Sequence, residues 1–130
     1  MNTVTIPSFT APGLHALLDQ LNAEQLDQLD FGVIGFDTET NVCRYNRTES
    51  EAAGLTPPRV LGQPLFTNVA ACLNNFMVAQ RFEDAQDEGT VLDDTIDYVL
   101  TLRMRPVKVK LRLLAGPDSA VRYVLVQRRL

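Results

Sequence analysis

The last third of the chain alternates in polarity with a period of two, and that pattern leaves few folds open. In TIDYVLTLRM (95–104), Ile96, Tyr98, Leu100 and Leu102 share a side; in VKVKLRLL (107–114), Val107, Val109, Leu111 and Leu113 oppose Lys108, Lys110 and Arg112. Successive side chains leave a strand on opposite faces, so both runs read as half-buried strands. GPDS (116–119) reads as a turn and VRYVLVQRR (121–129) as a final strand. Short connections make the three an antiparallel meander.

The preceding segments supply the rest of the fold. Residues 1–12, with Pro7 and Pro12, read as an extended arm; Leu14, Leu17, Leu18 and Leu21 then mark one helical face. Asn22 is placed to cap a second short helix, with Gln25 in the capping-box position and Leu26 and Leu29 facing inward. FGVIGF (31–36) and VCRYN (42–46), joined by DTETN, read as a two-stranded hairpin. RTESEAA (47–53) is helical in composition and is stopped by Gly54 and Pro57-Pro58. A helix covering about 76–88 is expected after Asn74 and Asn75, ended by Gly89. The expected fold is α+β: one five-stranded antiparallel sheet with flanking helices. It forms a single domain, with residues 1–29 as an N-terminal arm and helical cap on a core of residues 30–130.

Composition narrows the chemistry. DTETN is no calcium loop, because Val42 and Thr48 stand where such a loop needs Gly and Glu. One His (His15) and two Cys (Cys43 and Cys72) without CxxC spacing do not support a zinc site. No apolar run reaches the length of a membrane span, and MNTVTIPSFTAPG lacks a signal-peptide pattern, so a cytoplasmic protein with reduced thiols is expected. A net charge of −4 argues against nucleic acid as a partner. Eight of the 12 basic residues gather at Arg103, Arg105, Lys108, Lys110, Arg112, Arg122, Arg128 and Arg129, which reads as the solvated side of a sheet, with a docking face for an acidic partner as the other reading. His15 reads as an ordinary surface histidine.

Three residues have chemistry that local sequence leaves open. Cys72 precedes the helix expected near Asn75, whose N–H groups would favour a nucleophilic thiolate; it also reads as an inert small hydrophobe. Cys43, on the same strand face as Tyr45, reads as core. Glu49 is either a solvent-facing helix carboxylate or, if buried, a neutral proton donor. Tyr45 is either a core aromatic or a second donor beside it.

Three motifs lie in order: Tyr-Asn-x-x-Glu (45–49), Val-Ala-x-Cys (69–72) and Met-x-Pro-x-Lys-Val-Lys (104–110). Together, from about Leu14 to Arg129, the chain resembles the photoactive yellow protein family, whose fold is that of PAS domains. The resemblance implies a blue-light photoreceptor binding p-coumaric (4-hydroxycinnamic) acid as a thioester on Cys72. It implies Tyr45 and Glu49 as the pair that hydrogen-bonds the phenolate, Phe66 and Val69 as pocket lining, and Met104 as a residue acting in thermal recovery. It also implies proton transfer from Glu49 after trans–cis isomerisation, release of the N-terminal segment (1–29), and a downstream signalling protein as partner. Where the family has a supporting Thr, a ring-shielding Arg and a Pro before the attachment cysteine, this chain has Ala53, Leu55 and Ala71.

Two other functions fit the residues. One is a non-photoactive PAS sensor or interaction module binding another small ligand or a protein, which Ala53 and Leu55 favour. The other is an enzyme with a thiol nucleophile and Glu49 as acid/base. No second base lies near Cys72 in sequence, so no enzyme is expected.

Overall fold

The computed structural model describes residues 6–101 and 106–128. The chain runs through helices α1 (Leu14–Gln20) and α2 (Ala23–Leu26), the hairpin β1 (Gly32–Phe36) and β2 (Val42–Tyr45), then α3 (Arg47–Ala53) and α4 (Pro57–Val60). A π-helical turn (Leu65–Val69) and a 3-10 turn (Ala71–Leu73) lead to α5 (Ala79–Glu88), followed by β3 (Leu92–Leu100), β4 (Val107–Ala115) and β5 (Arg122–Gln127). The five strands form one antiparallel sheet in the order β2-β1-β5-β4-β3.

The sheet is covered on both faces. Ile34, Leu111, Leu113, Val124 and Val126 pack under α5 and the π-helical turn, around an aromatic group in which Phe36 meets Phe82 at 4.9 Å and Phe66 at 5.6 Å. On the other face Val33, Leu114, Tyr123 and Leu125 pack against Phe9, Leu14, Leu18, Leu26 and Leu29 of the N-terminal segment. This explains FGVIGF, a continuous apolar run without alternation: β1 is buried on both sides along its whole length.

The second layer corrects several sequence expectations. The basic side of the C-terminal strands is only partly solvated. Lys108 is exposed, but Arg112 and Arg122 are buried. Arg112 reaches the carboxylate of Asp93 and the carbonyls of Phe9 and Ala11, while Arg122 lies over the Phe36 ring and donates to the Asp37 carbonyl. His15 is half-buried rather than on the free surface: its ring meets Tyr123 edge-on and its Nε2 lies 2.8 Å from the Val121 carbonyl oxygen. The arm is not wholly extended, since Phe9 is folded into the core beside Phe31.

Two further differences concern helix and strand ends. The helix expected from about residue 76 begins at Ala79, because the Asn75 side chain takes the N–H groups of Met77 and Val78 into a turn before it. Strand β3 begins at Leu92 rather than Thr95. Its edge carries Asp93, Asp94 and Asp97, charges that discourage pairing with another chain. No helix among the described residues is long and apolar enough to cross a membrane.

Candidate functional site

Between the sheet and the helical layer lies a void of about 10 Å³, walled by Ile34 of β1, Tyr45 of β2, Glu49 and Ala53 of α3, Leu55, Val69, Ala70, Leu73, Leu100 of β3 and Val126 of β5. The hairpin and α3 bring Tyr45 and Glu49 to it together. Asn46 caps α3, its Oδ1 accepting from the Glu49 N–H at 3.1 Å and from the Val33 N–H at 2.9 Å. This cap fixes the first turn of α3 against β1 and turns Glu49 inward, where it is 2% exposed. Gly32 is the reason the carboxyl fits: a Cβ there would lie 2.1 Å from Glu49 Oε1.

Two titratable groups, Tyr45 and Glu49, line the polar end of the void, and a third, Arg128, reaches Glu49 from outside the lining. Arg128, just past β5, donates from both terminal nitrogens to Glu49, at 2.7 Å to Oε1 and 3.0 Å to Oε2. The fork-to-carboxylate match gives such pairs their strength and orientation. Burial alone would weaken the Arg128 charge, but its bonds to Glu49 more than offset this and hold its pKa above the ordinary value. The Tyr45 hydroxyl is buried and makes no hydrogen bond. Burial, with the Glu49 charge adding to it, raises the Tyr45 pKa, so it stays a neutral donor.

The turn bearing Cys72 forms one wall of the void through its neighbours Ala70 and Leu73. The Cys72 side chain is half-buried and packs with Leu55, Val69 and Tyr98 against the main core. Its carbonyl accepts from the Tyr98 hydroxyl and from Asn75 Nδ2. Because α5 starts at Ala79, the helix N–H groups expected beside Cys72 lie further along the chain. The preceding turn is π-helical, its Ala70 N–H bonding to the Leu65 carbonyl at 2.8 Å, a rare geometry that recurs at functional sites.

Of the residues singled out in the sequence, Tyr45, Glu49 and Val69 meet at the void, and Cys72 lies on its wall turn. Phe66 belongs instead to the aromatic group with Phe36 and Phe82. Met104 lies outside the described residues. Cys43 is exposed on the edge strand β2, not in the core. It borders a separate cleft of about 390 Å³ together with Tyr45 and Arg47. The register shift opposite Gly35 and Phe36 breaks the regular alternation of β2 and leaves Cys43 outside.

Sequence reasoning missed three members of the site. Asn46, three residues before Glu49, had an N-cap signature. Gly32 had no signal beyond its place in an apolar run. Arg128 was grouped with solvated charges, and nothing local pointed to Glu49.

A five-stranded antiparallel sheet with helices on its face and a small polar-ended void beneath them defines a PAS domain, a sensory module. The chain belongs to the photoactive yellow protein family. The photoactive yellow protein of Halochromatium salexigens is 30% identical over 125 residues, 96% of this chain and 99% of the relative. That of Rhodothalassium salexigens is 30% identical over 114 residues, 88% of this chain and 90% of the relative. The photoactive yellow protein domain from the sensor histidine kinase Ppr of Rhodospirillum centenum matches with TM-score 0.78 and 34% identity, over 86% of this chain and 97% of that one. The PAS domain of the Cronobacter turicensis RpfR quorum-sensing receptor, in complex with BDSF, has TM-score 0.60 at 16% identity, over 78% and 95%, and shares the fold alone. No protein-family model matches the chain.

Proposed function

We propose that this chain is a cytoplasmic blue-light photoreceptor, not an enzyme, that holds p-coumaric acid as a thioester on Cys72. The observation that carries this reading is the buried, unpaired Tyr45 hydroxyl beside the Glu49 carboxylate, at the end of a void whose wall turn bears a free thiol. An anionic oxygen in an apolar pocket needs donors, and an unpaired buried hydroxyl is costly until it meets an acceptor. The unpaired Tyr45 hydroxyl therefore fits a phenolate, and the Glu49 carboxylate, held by Arg128, would join it as a donor only by taking up the ligand's phenol proton. At about 10 Å³ the void is far below the roughly 300–1,000 Å³ of ordinary ligand sites, so loading requires side chains such as Leu55, Val69 and Leu73 to move apart.

The residues divide the work. The Cys72 sulfur bonds to the acyl carbon of an activated ester; the ester's leaving group departs with its bonding pair and takes up the thiol proton. When bound, the group supplies visible absorption and a light-driven trans–cis isomerisation. Tyr45 would donate a hydrogen bond from its hydroxyl to the phenolate oxygen while keeping its own proton. Glu49 would share the ligand's phenol proton with that oxygen and return it to the oxygen after illumination.

The charge change on Glu49 has a short route to the N-terminal segment. Asn46 Nδ2 donates to the Leu26 carbonyl at 2.9 Å, the Arg47 N–H to Asp27 Oδ1 at 2.7 Å and the Thr48 hydroxyl to the Leu29 carbonyl at 2.5 Å. A shift of α3 therefore loosens the end of the N-terminal segment, exposing sheet surface to a signalling partner. A kinase is one such partner by likeness to the Ppr domain. The second reading, a PAS module for another small ligand, is favoured by the apolar Ala53 and Leu55 on the void wall.

Incubating the apoprotein with an activated p-coumaroyl ester separates the two. The expected result is a visible band and the matching mass increase on the Cys72 peptide, both absent from Cys72→Ala. A protein that forms no adduct, or a band that persists in Cys72→Ala, refutes the photoreceptor reading.

A further inference from the structure

Glu49 is almost wholly buried, yet its carboxylate is fully engaged by a guanidinium from another element. Glu49 lines the void with its side chain 2% exposed, while Arg128, 24% exposed, reaches it from outside the lining. The missing Cβ of Gly32 leaves the room that Glu49 Oε1 occupies. Among the described residues, the titratable groups facing Glu49 are Tyr45 from β2 and Arg128 from beyond β5; the other walls of the void are apolar.

Charge counting at this end gives a definite result. A phenol oxygen and the Glu49 carboxyl sharing one proton bear a single negative charge between them. Without a cation, that charge would be buried against apolar walls at high cost. We infer that Arg128 is the counter-cation of the pocket, balancing the negative charge whether Glu49 or the ligand's phenolate oxygen bears it. This rests on the proposed function and deepens it. Arg128 is a positioning residue: it makes the end of the pocket neutral overall, and it leaves the proton free to sit on either oxygen. The pocket thereby selects ligands with one ionisable hydroxyl at that end over those with none.

The test is an acid titration of the visible band in the full chain loaded with p-coumaric acid. Losing a cation a few ångströms away raises an acid's pKa by roughly 1–3 units, so Arg128→Gln should move the midpoint up by that much, and Arg128→Lys by less. Glu49→Gln compared with the double variant Glu49→Gln/Arg128→Gln repeats the measurement with no unpaired carboxylate in either protein; the double variant should have the higher midpoint. Equal midpoints within that comparison, or between Arg128→Gln and the parent, overturn the inference. A second readout needs no ligand. The apoprotein at neutral pH should lack a protonated-carboxyl infrared band, Arg128→Gln should show one, and adding Glu49→Gln should remove it. Absence of the band from Arg128→Gln overturns the inference. A chain that fails to load refutes the photoreceptor reading instead, and the infrared comparison still decides the role of Arg128.

Discussion

Asn46 uses all of its side-chain hydrogen-bonding geometry to join three parts of the molecule. It accepts from the N–H groups of Val33 and Glu49 and donates to the carbonyls of Leu26 and Phe31, at 2.9 to 3.1 Å. An ordinary N-cap is worth about 0.5–2 kcal/mol. Asn46→Ala also strands buried partners in β1 and the N-terminal segment, and each such group costs about 1–3 kcal/mol. Asn46→Ala should therefore lower unfolding stability by about 3 kcal/mol or more in urea melts; a loss below about 1 kcal/mol would contradict the bridging role. The cap itself is readable from Asn46 and Glu49 in sequence. The bonds to Leu26 and Phe31 are not, because they exist only once the N-terminal segment has docked. Arg128 is a parallel case: period-two alternation places it at a strand end, but its partner lies on α3, far away in the chain.

At the scale of elements, the pairing of Asp93 with Arg112 clamps β3, β4 and the N-terminal segment together. Arg112 donates to both Asp93 oxygens at 2.8 and 2.9 Å and, from the same guanidinium, to Phe9 and Ala11. Its hydrogen bonds hold the Asp93 pKa below the ordinary value, against a smaller opposing effect of burial. A carboxyl with a lowered folded pKa stabilises fully above its unfolded value of about 3.9, and the stabilisation is lost as pH falls through the lower folded value. Asp93→Asn should thus cost about 1 kcal/mol at pH 6, modest because Asp93 is 44% exposed. The gap to the parent should close below about pH 4. A gap unchanged between pH 6 and pH 3 would contradict the pairing. The strands β4 and β5, the hairpin and α3 were legible because alternation and stop residues act locally. The covering of the sheet's second face was not, since Lys108, Lys110 and Arg112 alternate identically whether water or the N-terminal segment lies above them. The same limit applies to α5, where Asn75 reads equally as a cap and as a turn.

Over the whole molecule, the sheet separates two cores, one enclosing the polar-ended void and the other built on the N-terminal segment. The links from α3 to Leu26, Asp27 and Leu29 connect them around the sheet edge. Under the proposed function, these links are the route by which a charge displacement at Glu49 would reach the far face. The fold class was legible in strand alternation and element order, and the pairing of Tyr45 with Glu49 through family motifs. The closed state of the void and the Arg128 contact required the folded chain. The most direct test of the central claim is a light-minus-dark absorption spectrum of the p-coumaroyl-loaded full chain. Blue light should bleach the visible band and darkness should restore it; a loaded protein whose band is unchanged by blue light would contradict the account.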